Sequence, residues 1–179
     1  HKRRTGVTRS IENIVPHFDK SFELYIYGNK VKGLKISTLR LVSFFFLNKK
    51  LVVHCHRNNE IIRMLFFRML GFKFTLIATR HAESKPSKLT LTLLKQADKI
   101  VTLTKSMSEN LGIKNTVVGH GVDIDFFIPK EQLRLKAISQ QNIILCVGRV
   151  RGSKGHEVLF ESAKVLRGNK NWAIVVVGK

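Results

Sequence analysis

Val117-Val118-Gly119-His120-Gly121-Val122-Asp123, continued through Phe127 and Pro129 to Leu145-Cys146-Val147-Gly148-Arg149 and then Lys154-Gly155, is the stretch whose reading decides the fold. A short apolar run closed by glycine, a crossing segment with a proline, and a second apolar run closed by glycine describe the passage between two α/β units. The second run opens on a basic, glycine-rich loop that leads into a helix. Free backbone amides and the positive end of the helix dipole make such a loop suited to a diphosphate. One further strand, Trp172 to Val177, follows before the sequence ends.

Working back towards the N-terminus, the same alternation recurs. Ile11, Ile14, Val15 and Phe18 fall at i, i+3, i+4 and i+7, which predicts an amphipathic helix over about residues 7–18, bent or shortened by Pro16. Leu24 to Tyr27 reads as a short strand closed by Gly28, residues 36–47 as an apolar helix, and Leu51 to Cys55 as a buried strand. Asn58 is expected to cap a helix over about 59–70 that ends at Gly71. A strand at Phe74 to Thr79, a helix over 86–97, a strand at Ile100 to Leu103, a short helix over 105–111 closed by Gly112, and a strand at Asn115 to Val118 complete the series. Strands and helices at this spacing imply a Rossmann-like, doubly wound parallel sheet over residues 1–129. Residues 130–179 read as a linker and the first β-α-β unit of a second such domain.

The chain has 179 residues, 44% of them hydrophobic, which is ample for a core. Its charge is unusual: 32 Lys and Arg against 12 Asp and Glu give a formal net charge of +20. The excess is diffuse, since residues 1–129 hold 22 basic and 9 acidic residues, and the remainder carries the same bias. Such a surface suits an anionic partner, whether phospholipid, phosphorylated saccharide or nucleic acid. Cys55 and Cys146 each sit in an apolar run and are expected to be reduced, buried thiols. No apolar stretch reaches the roughly 20 residues of a bilayer span. The chain begins His1-Lys2-Arg3-Arg4, with neither an initiator methionine nor a signal-type segment, so both ends are expected to be cut.

In a parallel α/β sheet, ligands sit beyond the carboxyl ends of the strands. Those positions are strongly biased here. His54, His56, Arg57, Asn58 and Glu60 follow the Val53 strand; Arg80, His81 and Glu83 follow Thr79; His120 follows Val118; Arg149, Arg151 and Lys154 follow Val147. Cations and imidazoles collected on one rim form an anion-binding cleft. His54-Cys55-His56 does not read as a metal site, because alternate strand residues point to opposite faces and Cys55 cannot join both histidines. Lys2 to Thr8, a basic run with a glycine ahead of a helix, offers a second place for an anion.

Gly119-His120-Gly121-Val122-Asp123 with Phe127 and Pro129 resembles the hinge of the retaining glycosyltransferases of GT-B fold, the group 1 or family 4 type. Val147-Gly148-Arg149, Lys154-Gly155 and Val175-Val176-Val177-Gly178 are similar to that family's donor-domain opening. Arg3 to Thr8, His54 with Arg57, Asn58 and Glu60, and Gln96 to Val101 resemble segments of bacterial lipopolysaccharide-core mannosyltransferases.

The resemblance implies a two-domain, metal-independent transferase moving a sugar from a nucleotide diphosphate, GDP-mannose by subfamily similarity, to a lipid-linked saccharide. It implies that Arg149 and Lys154 grip the diphosphate and that Gly6-Val7 form the glycine turn beside donor or acceptor. It further implies that His81 polarises or hydrogen-bonds a sugar hydroxyl, and that Arg57, Asn58, Glu60, Arg80 and His120 face the acceptor. A basic, apolar segment from Leu39 to Lys50 suits a membrane surface on the cytoplasmic face of the inner membrane. The family's first strand and its acidic donor-sugar segment are absent from this sequence, so the chain alone is expected to be inactive or nearly so. Two other classes stay open: a nucleic-acid binder, which the charge favours and the scarcity of Tyr and Trp disfavours, and a non-catalytic saccharide-binding remnant.

Overall fold

The computed structural model describes residues 6–18, 21–28, 31–47, 50–129 and 138–178. The basic run from Lys2 to Thr5 and most of the linker at 130–137 lie outside them. Backbone contacts divide the chain into two compact units, His1–Phe127 and Ile128–Lys179.

The first unit is built on four parallel strands: β1 (Val52–Cys55), β2 (Thr75–Arg80), β3 (Lys99–Thr102) and β4 (Thr116–Val117). Their order in the sheet is their order in the chain. The reversal of order that makes a sheet doubly wound does not occur among the described strands, so they form the singly wound part of an α/β layer. Helices α3 (Asn58–Met69), α4 (Lys88–Lys95) and α5 (Lys105–Leu111) make the crossovers. They are preceded by α1 (Gly6–Ile14), which ends in a 3-10 turn at Val15–His17 containing Pro16, and by α2 (Thr38–Phe46).

The period-two rule explains which face of this sheet packs. Cys55, Leu76, Ala78 and Ile100 share one side through the registers Cys55↔Ala78 and Ala78↔Ile100. They join Ile61 and Met64 of α3, Leu93 and Leu94 of α4, Leu111 of α5 and Leu41 of α2 in one core. Leu76 is completely buried, a burial that contributes about 1.5–3 kcal/mol. Beside it, the Asp98 carboxylate ahead of β3 accepts from the Leu76 amide at 2.6 Å and pairs with the Arg68 guanidinium of α3. Arg68 also donates to the Phe74 carbonyl at 2.9 Å and the Gln96 carbonyl at 3.0 Å. One arginine thus ties a helix end to the starts of two strands.

Three local expectations change. Leu24 to Tyr27 is no strand: only the bridge Ile26↔Lys35 forms there, with amide-carbonyl bonds to the segment just before α2. Asn58 does not cap α3; the cap position is Arg57, and the Asn58 side chain donates instead to the Thr90 hydroxyl of α4 at 2.8 Å. The helix begins one residue earlier than expected, with Asn58 inside its first turn. Ser87, rather than Pro86, sets the start of α4, its hydroxyl accepting from the Thr90 amide. Gly112 closes α5 in the left-handed region, as its position after the last apolar residue predicts.

The second unit is a parallel β-α-β: β5 (Asn142–Val147), a 3-10 turn at Gly152–Lys154, α6 (His156–Leu166) and β6 (Trp172–Val177). Gly178 is required where β6 ends, because a Cβ there would lie 1.7 Å from the Gly148 carbonyl oxygen. Cys146 is half-buried rather than buried, since β5 is covered incompletely among the described residues.

Candidate functional site: a histidine and arginine cleft

The carboxyl ends of β1 and β2 open into a cleft of about 370 Å³ in the first unit. His56, Arg57, Asn58, Arg80 and His81 line it with Thr79, Thr90, Ile61, Leu94 and Ala82. Five of the sequence-derived rim residues, from three elements, therefore meet in one place. Parallel pairing accounts for this. The register Cys55↔Ala78 brings the residues that follow β1 alongside those that follow β2.

Arg80 is the last residue of β2 and only 9% exposed. Its guanidinium donates to the Ser84 carbonyl, which folds the loop after β2 back over the strand end. Burial lowers its pKa from the ordinary arginine value, yet a guanidinium starting so high stays charged at neutral pH. Arg57 sits at the start of α3 and contributes the second fixed positive charge.

The imidazoles form a ladder. His54 lies tilted against His56 with ring centres 4.3 Å apart, His56 lies 5.2 Å from His81, and His81 lies 6.1 Å from His120, which follows β4. His54 Nε2 is 2.6 Å from the Thr79 hydroxyl, and His56 Nδ1 is 3.0 Å from His81 Nε2. Burial, then the neighbouring His54 and His81, push the His56 pKa down to about 3. Burial also holds His81 below its usual value, assisted by His120, His54 and Arg57. Both rings are therefore neutral at physiological pH, and the positive charge of the cleft rests on its arginines.

Cys55 points away from the ladder into the core, where burial and then Glu60 push its thiol up to about 12. The alternation argued from the sequence is what separates it from the two histidines. Among the described residues no group of three or more His, Cys, Asp or Glu is arranged to hold a metal ion.

The remaining site residues are placed as follows. Glu60 turns its carboxylate to the His56 amide, accepting at 2.8 Å, so its charge orders the loop after β1. Gly6 and Val7 open α1, with the Gly6 carbonyl accepting from Ser10, and they are not among the residues lining the cleft. Arg149 and Lys154 belong to the second unit, where they are exposed on the loop between β5 and α6. Gly155 takes the left-handed conformation at the entry to α6, with φ of 71°. His156 is almost fully buried beneath this loop, and its Nδ1 donates to the Arg151 carbonyl at 3.2 Å.

Sequence reasoning placed His56 among the rim residues without an individual role and assigned His156 no part. For His56 the signal was its even spacing from His54 on a strand that ends beside His81. For His156 it was a polar residue at the inward first position of a helix.

No protein-family model matches the chain, and no solved structure matches it. Two curated proteins do. A lipopolysaccharide core biosynthesis mannosyltransferase, LpcC, of Rhizobium leguminosarum bv. viciae is 26% identical over 137 residues, covering 73% of this chain and 39% of its own length. A second protein described in the same words, LpsB of Rhizobium meliloti (strain 1021), is 24% identical over 135 residues, covering 72% and 38% respectively. The chain thus spans about two fifths of the length of the curated relatives it matches. These similarities support a glycosyltransferase-like relationship, on an α/β frame with a parallel sheet.

Proposed function

We propose that this chain belongs to a glycosyltransferase of GT-B type that moves a sugar, mannose, from a nucleotide diphosphate such as GDP-mannose to an anionic lipid-linked saccharide of the lipopolysaccharide core. The observation that carries the reading is the convergence of Arg57, Asn58, Arg80 and His81 on one cleft at the strand carboxyl ends. Two fixed guanidinium groups suit phosphate or carboxylate on an acceptor. Neutral imidazole, amide and hydroxyl groups beside them suit sugar hydroxyls.

In this reading Arg149 and Lys154 neutralise the diphosphate as the glycosidic bond breaks, with the amides of the Gly152–Gly155 turn beside them. His81 accepts or donates a hydrogen bond at a reacting or neighbouring hydroxyl, Glu60 holds the loop that carries His56, and His120 flanks His81. Gly6 and Val7 approach the donor phosphates or the acceptor. The reaction retains configuration and takes no metal.

A place on the cytoplasmic face of the inner membrane is supported by α2 and its flanks. Leu39 and Phe46 are exposed there, and the Arg40 guanidinium lies over the Tyr25 ring. Among the described residues no helix is long and apolar enough to cross a membrane.

Calorimetric titration of the chain with GDP, UDP and a delipidated core oligosaccharide tests the proposal. Binding of GDP that is lost in Arg149→Ala or Lys154→Ala, and of the oligosaccharide independently of those changes, supports it. Absence of both, or tight binding of duplex DNA with a steep salt dependence, contradicts it.

A further inference from the structure

We infer that His56 is a positioning residue: its Nδ1 accepts a hydrogen bond from His81 Nε2–H, which fixes His81 in one tautomer and reserves the lone pair of His81 Nδ1 for a ligand hydroxyl in the cleft. The inference deepens the proposed function, on which it rests only for the identity of that ligand.

The geometry allows two arrangements across the 3.0 Å contact between His56 Nδ1 and His81 Nε2. Exactly one of these two nitrogens carries a proton when both rings are neutral, and the hydrogen bond made by one ring nitrogen dictates the state of the other. If His81 Nε2 donates, both rings keep the Nε2–H form that a free histidine side chain favours. If His56 Nδ1 donates, both must take the less favoured Nδ1–H form. The first arrangement is therefore selected.

The surroundings hold the acceptor in place. The His56 amide donates to Glu60 at 2.8 Å, and the His56 ring packs at a tilt against His54, which is in turn hydrogen-bonded to Thr79. Every charged or titratable group around the pair opposes a third ring proton or leaves it unrewarded: His54 and Arg57 on the β1 side, Arg80 beside His81 on β2, and His120 across the His81 ring. The Glu60 carboxylate is engaged by the His56 backbone instead of either ring. A ligand O–H thus meets an imidazole nitrogen that accepts over the whole neutral range.

Proton–nitrogen correlation spectra of histidine-labelled intact chain, recorded without ligand, test the assignment. The expected result is a single Nε2–H tautomer for His81, replaced by a mixture of tautomers in His56→Ala and restored in His56→Asn, whose Oδ1 occupies nearly the position of Nδ1. Should His56→Ala fail to fold, the unsubstituted chain and His56→Asn decide alone. An Nδ1–H tautomer of His81 in the unsubstituted chain, or an unchanged His81 spectrum in His56→Ala, overturns the inference. Because no sugar or nucleotide is present, failure of the transferase reading leaves these spectra unaffected.

Discussion

His56 carries the largest consequence at the scale of single residues. Its folded-state pKa of about 3 lies below the ordinary value of 6.5, so the unfolded chain binds a proton there that the folded chain refuses. Stability contributed by the neutral ring is complete above about pH 6.5 and is lost as the pH falls towards 3. Urea unfolding followed across that window should show stability declining with acid, and the decline should be shallower in His56→Asn. Cys55 gives a second prediction. With its thiol pushed up to about 12, it should resist iodoacetamide at pH 8 in the folded chain and react only on unfolding, as peptide mapping would show. The burial of Cys55 was legible in the sequence, because an apolar strand of period two assigns it to the core side. The fate of His56 was not, since it depends on which residue of another strand lies beside it, and register between β1 and β2 is a tertiary fact.

Among the elements, the tie between α3 and the starts of β2 and β3 is the most exposed to test. Asp98→Ala removes the acceptor of the Leu76 amide and the partner of Arg68. Leaving that amide unpaired beside a fully buried side chain should cost about 1–3 kcal/mol, read as a lower urea midpoint with an unchanged slope. In the second unit, Gly178→Ala forces a Cβ onto the Gly148 carbonyl. Spreading β5 from β6 should cost about 1–3 kcal/mol, measurable as faster amide exchange along both strands. Apolar runs and glycine stops made nearly all these elements readable, and Gly112 falls where cap chemistry requires, whereas α4 starts after the Ser87 cap rather than at Pro86. Two other readings failed. Leu24 to Tyr27 has strand-like composition but finds only one bridging partner, and Asn58 has cap chemistry but spends its amide on Thr90. The first lacked a neighbouring strand to pair with, and the second was overridden by a contact 32 residues away in sequence.

At the scale of the molecule, the sequence showed a parallel α/β chain of two units with a diffuse positive charge of +20, and the structure places two of its arginines, Arg57 and Arg80, in one cleft. It could not show that the histidines of the rim would be neutral, because their desolvation arises only when β1, β2 and the segment after β4 are side by side. In the proposed function the cleft recognises an anion through Arg57 and Arg80 and a sugar through uncharged groups. The most direct test is equilibrium binding of a delipidated, anionic core oligosaccharide to the chain and to Arg57→Ala, with thermal unfolding as a control. Loss of one guanidinium hydrogen-bonded to an anion is expected to weaken binding about tenfold or more at an unchanged unfolding midpoint. Equal affinity in the two proteins would contradict the assignment of this cleft to an anionic saccharide.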